Sequence, residues 1–135
     1  MRRIIAFLMC FPLAAGCSVL MLDPLEQLRE ANKRNLQRVN IGHTRMEVES
    51  IMGNDRAGGG LPEAVFGRLQ YLQARNPMRE EDLRGVDGAE YHVLFYYTDV
   101  KTKDDKITDD ELTPVVFREG KVVGTGNAFL AAIRP

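Results

Sequence analysis

The segment EYHVLFYYTDV, residues 90–100, constrains the fold most, because it carries large apolar side chains on both faces of a strand. Successive side chains of a strand point to opposite faces, and aromatic and β-branched residues favour strands. One face would carry Tyr91, Val93, Phe95 and Tyr97, and the other His92, Leu94, Tyr96 and Thr98. This pattern predicts a central strand, with helices on one face of the sheet and a partly covered surface on the other.

The segment LTPVVFREGKVVGTG, residues 112–126, predicts an antiparallel hairpin. Strand 115–118 would turn at Glu119 and Gly120 into strand 121–124, since short apolar runs joined by a glycine-containing pair are typical of hairpins. Residues 68–74 are interpreted as a first strand, with a helix as the alternative. The sheet as a whole is predicted to be small, with about three strands.

Two helices are predicted before the sheet. Asp23 and Pro24 form a helix start, because aspartate caps the first turn and proline needs no hydrogen-bond acceptor there. A thin apolar stripe follows in residues 25–39, which favours a helix packed on the domain over one lying on a membrane.

The second helix is signalled by NIGHTRMEVESIMGN, residues 40–54. Thr44 and Glu47 have the spacing of a capping box, in which each side chain accepts a hydrogen bond from the other residue's backbone N–H. Gly53 can adopt the left-handed conformation that ends a helix. The predicted apolar face comprises Val48, Ile51 and Met52. These elements together predict an α+β domain, two N-terminal helices packed on a small antiparallel sheet, with a flexible insertion near residues 54–88.

The first residues, MRRIIAFLMCFPLAAGC, have the features of a targeting signal. Arg2 and Arg3 precede an apolar run, residues 4–11, that is too short for a membrane span of roughly 20 residues. The small residues before Cys17 resemble the lipobox of bacterial lipoproteins, although Ala14 stands where leucine is usual. This resemblance implies cleavage before Cys17 and acylation of its thiol; an uncleaved anchor or ordinary secretory cleavage is the alternative.

The predicted organisation is therefore a signal peptide (1–16), a lipidated tether (17–22) and one domain (23–135). Removal of the signal changes the formal net charge from −1 to −3. A mildly acidic chain without a basic stripe excludes nucleic acid as an expected partner. The acyl chains on Cys17 would be its contact with the membrane.

No motif in the sequence predicts catalysis, a cofactor or a metal. The glycines at 58–60 lack the Lys-Ser/Thr of a phosphate loop. The acidic run at 104–111 lacks the glycine and ligand spacing of a calcium loop and is interpreted as a solvated loop between strands. His43 is interpreted as an exposed linker residue. No free thiol is expected in the mature chain, because Cys10 is removed with the signal peptide and Cys17 is acylated. We therefore expect a non-enzyme without catalytic, cofactor-binding or metal-binding residues.

The pattern Ile41-Gly42-His43-Thr44, Val48 and Ile51-Met52-Gly53 resembles the signature of SmpA/OmlA-type lipoproteins, the BamE-like group of the outer-membrane β-barrel assembly machine. It is also similar, and more closely, to a sister lipoprotein family of unknown function, through Phe95-Tyr96, residues 113–117 and residues 120–126.

This resemblance implies a lipid-anchored, protein-binding accessory in outer-membrane assembly or maintenance. Ser18 after Cys17 favours the periplasmic face of the outer membrane over that of the inner membrane. An inhibitor-like or small-ligand-binding periplasmic module is the alternative, because β-lactamase-inhibitor proteins share a similar architecture.

Two small helices can cover only one face of the sheet, so some of Tyr91, Tyr96 and Tyr97 are expected to lie at the surface. They would form a partner site, because exposed tyrosines provide large contact areas. In the alternative, the tail NAFLAAIRP folds back and covers them.

Overall fold

A computed structural model of the chain describes residues 24–53, 75–102, 104 and 106–135. Within these residues, the helices are α1 (Pro24–Leu36), α2 (Arg45–Met52) and α3 (Asn127–Ile133). The strands are β1 (Arg79–Arg84), β2 (Glu90–Tyr97), β3 (Leu112–Arg118) and β4 (Lys121–Thr125). Neighbouring strands are antiparallel, in the order β1-β2-β3-β4. The predicted α+β class is confirmed, with four strands where about three were expected.

Helices cover both faces of the sheet, which gives β2 and β3 a core on each side. On the α2 face, Val48 and Met52 of α2 pack on Leu94, Tyr96, Val115, Phe117 and Val122. On the opposite α3 face, Leu130 packs with Tyr91, Val93, Phe95, Tyr97, Leu112 and Val116. The apolar residues on both sides of β2 are therefore explained by two layers of helix, rather than by one covered face and one partly covered face.

The tail helix α3 approaches the sheet very closely at Gly124. A Cβ atom at residue 124 would lie less than 3.0 Å from atoms of the Phe129 ring, a separation that real Cβ atoms essentially never show. A glycine is required there because the ring occupies the space that a side chain would need.

Helix α2 has the predicted capping box. The Thr44 side chain accepts from the Glu47 N–H, and the Glu47 carboxylate accepts from the Thr44 N–H at 2.7 Å. Gly53 has a φ of 78° at the other end. The apolar face differs in detail from the prediction, because Val48 and Met52 are buried while Ile51 is only half-buried.

The two ends of the sheet differ in how their strands are connected. At the turn end, residues 85–89 join β1 to β2 and residues 119–120 join β3 to β4. At the loop end, residues 98–111 join β2 to β3 through a short 3-10 turn, Asp109–Glu111. Asn32 of helix α1 lies at the loop end, where its side-chain amide donates to the Tyr97 carbonyl, and Leu25 in the first turn of α1 packs against the core on the α3 face.

The two edge strands are protected in different ways. The Gly42 N–H donates to the Val122 carbonyl, and the Val122 N–H donates to the His43 carbonyl, both at 2.8 Å, so this part of the β4 edge is already paired. Strand β1, REEDLR, carries charged side chains at five of its six positions, which opposes pairing with another strand.

Strand β1 lies within the segment that was interpreted as a flexible insertion near residues 54–88. Its charged sequence gives no apolar alternation, and Leu83 alone supplies an aliphatic side chain to the α3 face. The predicted strand at 68–74 and the glycines at 58–60 lie outside the described residues.

Candidate binding groove at the turn end

An open groove of about 470 Å³ lies on the α2 face at the turn end. Helix α2 begins at this end with Arg45, and the β3–β4 turn contributes Glu119 and Gly120 to the groove. The described residues that line the groove are Arg45, Asp82, Glu90, Tyr91, His92, Phe117, Glu119 and Gly120. Its volume is within the range of roughly 300–1,000 Å³ that is typical of ligand sites.

Arg45 is held by side chains from three elements. Its Nε donates to Glu49 Oε1 at 2.6 Å, and its Nη2 lies 3.0 Å from both carboxylate oxygens of Glu80. Its Nη1 lies 2.8 Å from His92 Nε2. All three guanidinium nitrogens are thus occupied. These interactions raise the pKa of Arg45, and the hydrogen bond to Glu49 makes the largest contribution.

His92 connects this arginine to β1. A guanidinium N–H can only donate, so His92 Nε2 accepts from Arg45 and the imidazole proton of the neutral ring lies on Nδ1. Nδ1 then donates to Asp82 Oδ1 at 2.6 Å. A neutral histidine oriented by a carboxylate is a general-base arrangement, but here the basic nitrogen faces Arg45 rather than the solvent.

The carboxylates of the groove are turned towards solvent. The side chains of Asp82 and Glu90 are 81% and 79% exposed, and Glu119 lies in the exposed β3–β4 turn. Because Glu49 and Glu80 already balance Arg45, the lining has an excess of negative charge. The groove therefore favours a cation over an anion.

Glu119 has an unusual backbone for its residue type. It adopts a φ of 51° in the two-residue turn, followed by Gly120 at 77°. Hairpin turns that need a positive φ at both positions favour asparagine, aspartate or glycine at the first. The turn itself therefore does not explain the choice of glutamate.

Beside the groove, Asp87 stabilises the β1–β2 turn through hydrogen bonds. It accepts from the Ala89 N–H, from the Tyr91 hydroxyl at 2.9 Å and from Arg118 at 3.4 Å. The Ala89 N–H and then the Tyr91 hydroxyl lower the pKa of Asp87, and the hydrogen bond to Asp87 raises the pKa of Tyr91.

The predicted tyrosine surface is wrong. Tyr91, Tyr96 and Tyr97 are 7%, 0% and 6% exposed, and of the three Tyr91 lines the groove. Helix α3 lies over the face of Tyr91 and Tyr97, while Tyr96 packs in the core below α2. The tail thus folds back, which was the alternative, and the tyrosines act as core residues.

At the loop end, Glu111 is buried, although residues 104–111 were interpreted as a solvated loop. Its carboxylate accepts from the backbone N–H groups of Lys101 at 2.6 Å and Thr108 at 3.1 Å, with a weaker contact to Thr102 at 3.4 Å. These N–H groups, Lys101 first, lower the pKa of Glu111. Glu111 therefore organises the connection between β2 and β3.

The described lining contains no serine, threonine or cysteine that His92 could activate. No group of three or more His, Cys, Asp or Glu side chains in the described part of the chain has the geometry of a metal site.

His43, interpreted as a linker residue, is half-buried and accepts from the Asn40 N–H.

Sequence reasoning did not identify the Arg45, His92 and Asp82 network. Arg45 and His92 are 47 residues apart, and each has an ordinary position in its own element. One local signal existed: Glu90 and His92 are polar, whereas Leu94 and Tyr96 on the same strand face are apolar, which indicates that this face is not covered at the start of β2. Cys17 lies outside the described residues.

A model of a family described as "Protein of unknown function (DUF3192)" matches residues 69–132. This stretch includes all four described strands and most of α3, so the sheet and its tail helix are the part that is similar to that family. No curated protein and no solved structure matches the chain. None of the described helices has the length and apolar character needed to cross a membrane.

Proposed function

We propose that this chain is a non-enzymatic, lipid-anchored protein of the bacterial envelope that binds a protein partner in outer-membrane assembly or maintenance. The supporting observation is the position of the groove relative to α1, the helix that follows the tether. Cys17 precedes α1 by a short tether, and α1 contacts the loop end through Asn32, whereas the groove lies at the turn end.

The tether limits how far the domain can move from the bilayer. An extended chain spans at most about 3.6 Å per residue, so residues 17–23 reach at most about 25 Å. A domain that is held through α1, with Asn32 at the loop end, can present its turn end away from the lipid surface. Its partner is therefore a protein that comes close to the same membrane on the periplasmic side.

Exposed apolar residues at the turn end agree with this proposal. Ile41 and Met46 are each 78% exposed, and Val86 is 65% exposed in the β1–β2 turn. Single exposed apolar side chains are common, but these three lie at the same end of the sheet as the groove. Protein interfaces are typically enriched in methionine relative to the rest of the surface.

The volume of the groove favours a second candidate function, a small-ligand-binding periplasmic module. The groove is large enough for a small ligand, but its carboxylates are mostly exposed, whereas typical ligand pockets bury most of the ligand surface. The exposed rim makes a protein partner the better proposal.

Acylation is tested by labelling cells with a fatty-acid analogue. We expect label in the natural chain and none in Cys17→Ala, because the thiol is the acceptor. Label retained in the variant would contradict anchoring through Cys17. Membrane fractionation of the labelled protein then separates the outer from the inner membrane.

Partner binding is tested by site-specific photo-crosslinking in cells that express the full chain. A photoreactive residue at position 41 or 46 is expected to form a discrete adduct with an envelope protein. The same residue at position 106, exposed at the loop end, is the matched control. Equal adduct patterns at both ends, or none at positions 41 and 46, would contradict a partner site at the turn end.

A further inference from the structure

We infer that the groove receives an arginine or lysine side chain from an extended segment of the protein partner. This inference rests on the proposed function, and it adds the chemistry of the partner. The groove combines exposed carboxylates on its walls with an apolar floor, which suits a side chain that has an aliphatic stem and a cationic end.

The walls supply the charge. Asp82 on β1, Glu90 on β2 and Glu119 in the β3–β4 turn surround the groove from three elements. Asp82 keeps one oxygen for His92, and Glu90 makes a loose ion pair with Arg84, whose guanidinium Nε is 4.0 Å away. The loosely paired Glu90 can reorient towards an incoming cation, and Asp82, which is bonded to His92 at 2.6 Å, can offer the cation its second oxygen.

The groove has no comparable capacity for an anion. Arg45 is the cation in its described lining, and Glu49, Glu80 and His92 occupy its three guanidinium nitrogens. An anion would have to displace a bidentate carboxylate to reach it. The charge distribution therefore selects basic over acidic segments.

The floor supplies the apolar contact. The rings of His92 and Phe117 lie with centroids 6.3 Å apart and planes inclined at 53°. Phe117 is almost fully buried, and it closes the floor below the half-exposed imidazole. The methylene stem of a lysine or arginine can lie across this surface while its end group reaches a wall carboxylate.

The direct test uses the lipidated full chain in nanodiscs of neutral phosphatidylcholine and a fluorescent peptide, Gly-Arg-Gly-Arg-Gly. The groove variant is Asp82→Asn with Glu90→Gln and Glu119→Gln. Its matched control, Glu26→Gln with Asp104→Asn and Asp109→Asn, removes the same charge from exposed positions that do not line the groove. We expect saturable binding that falls at least fivefold in the groove variant and changes less than twofold in the control.

Three results would overturn the inference: no saturable binding, equal losses in both variants, or tighter binding of a Gly-Glu-Gly-Glu-Gly peptide. Thermal unfolding establishes whether both variants are folded. If the triple groove variant does not fold, peptide binding is measured with the single variant Glu119→Gln instead.

Crosslinking from position 46 separates this inference from the proposed function. An adduct that disappears in the groove variant, and whose partner peptide contains arginine or lysine, supports both. An adduct that is unchanged in the groove variant overturns the groove inference and leaves the proposed function standing. Peptide binding without any adduct overturns the proposed function and leaves the cation-binding groove.

Discussion

Glu111 at the loop end and the groove carboxylates at the turn end differ in burial and in the partners that they bond. At the loop end, Glu111 is 2% exposed and its carboxylate accepts from backbone N–H groups. At the turn end, Asp82 and Glu90 are mostly exposed and have side-chain partners. A buried carboxylate bonded to the backbone fixes a loop, whereas exposed carboxylates with adjustable partners remain available to a ligand. This difference separates a structural carboxylate from a functional one.

The largest expected effect comes from removing the structural carboxylate. Glu111→Ala leaves the Lys101 and Thr108 N–H groups without their acceptor and should lower the free energy of unfolding by on the order of 3 kcal/mol. Urea denaturation measures this loss. Asp110→Ala, at the exposed neighbouring residue, is the control and should cost less than about 0.5 kcal/mol. Similar values for both variants would contradict the role assigned to Glu111.

The second prediction concerns pH. The folded-state pKa of Glu111 is lowered, so its stabilisation is fully present above the unfolded value of about 4.3 and is lost as the pH falls through the folded value. The stability difference between the natural chain and Glu111→Gln should therefore be constant near pH 7 and shrink below about pH 4. Denaturation curves between pH 3 and 7 measure it. A difference that does not depend on pH would show that the ionised carboxylate is not the stabilising form.

A smaller effect on the free energy of unfolding is expected at the turn end, where the Arg45, His92 and Asp82 network is partly exposed. Arg45→Ala should lower the free energy of unfolding by about 1 kcal/mol, because solvent screens the ion pairs of a guanidinium that is 43% exposed. Arg45→Lys keeps the charge but cannot bond Glu49, Glu80 and His92 together, so it should recover less than half of the loss. Full recovery by lysine would mean that charge alone holds α2 at this end.

The smallest effect on stability is expected at Glu119. Glu119→Asn suits the positive φ of the turn and should raise the free energy of unfolding by a few tenths of a kcal/mol, while removing a groove charge. A more stable variant with weaker binding of the arginine peptide would sharpen the contrast between the two ends. Loss of stability would instead mean that the Glu119 side chain supports the fold.

The parts of the fold that sequence predicted are those with local signals. Thr44, Glu47 and Gly53 define α2 within ten residues, and Glu119-Gly120 defines the β3–β4 hairpin. Strand β1 has no such signal, because its pairing with β2 buries mainly the aliphatic side chain of Leu83.

The groove and the burial of the tyrosines depend on contacts between distant residues. Arg45 meets His92 only because α2 packs at the turn end, and Tyr91 is buried only because α3 returns across the sheet. Composition and periodicity contain no information on which distant element covers a given face. The sequence therefore predicted a surface of tyrosines where the structure has a core.

The close contact between Gly124 and Phe129 implies a rule for sequence variation among relatives that share this sheet and tail helix. A Cβ atom at position 124 would overlap the base of the Phe129 ring, which cannot swing away as the tip of a flexible side chain could. A relative with alanine or a larger residue at position 124 should therefore carry a smaller residue at position 129. The two positions are five apart in the chain, and they should covary as a pair wherever this packing is retained.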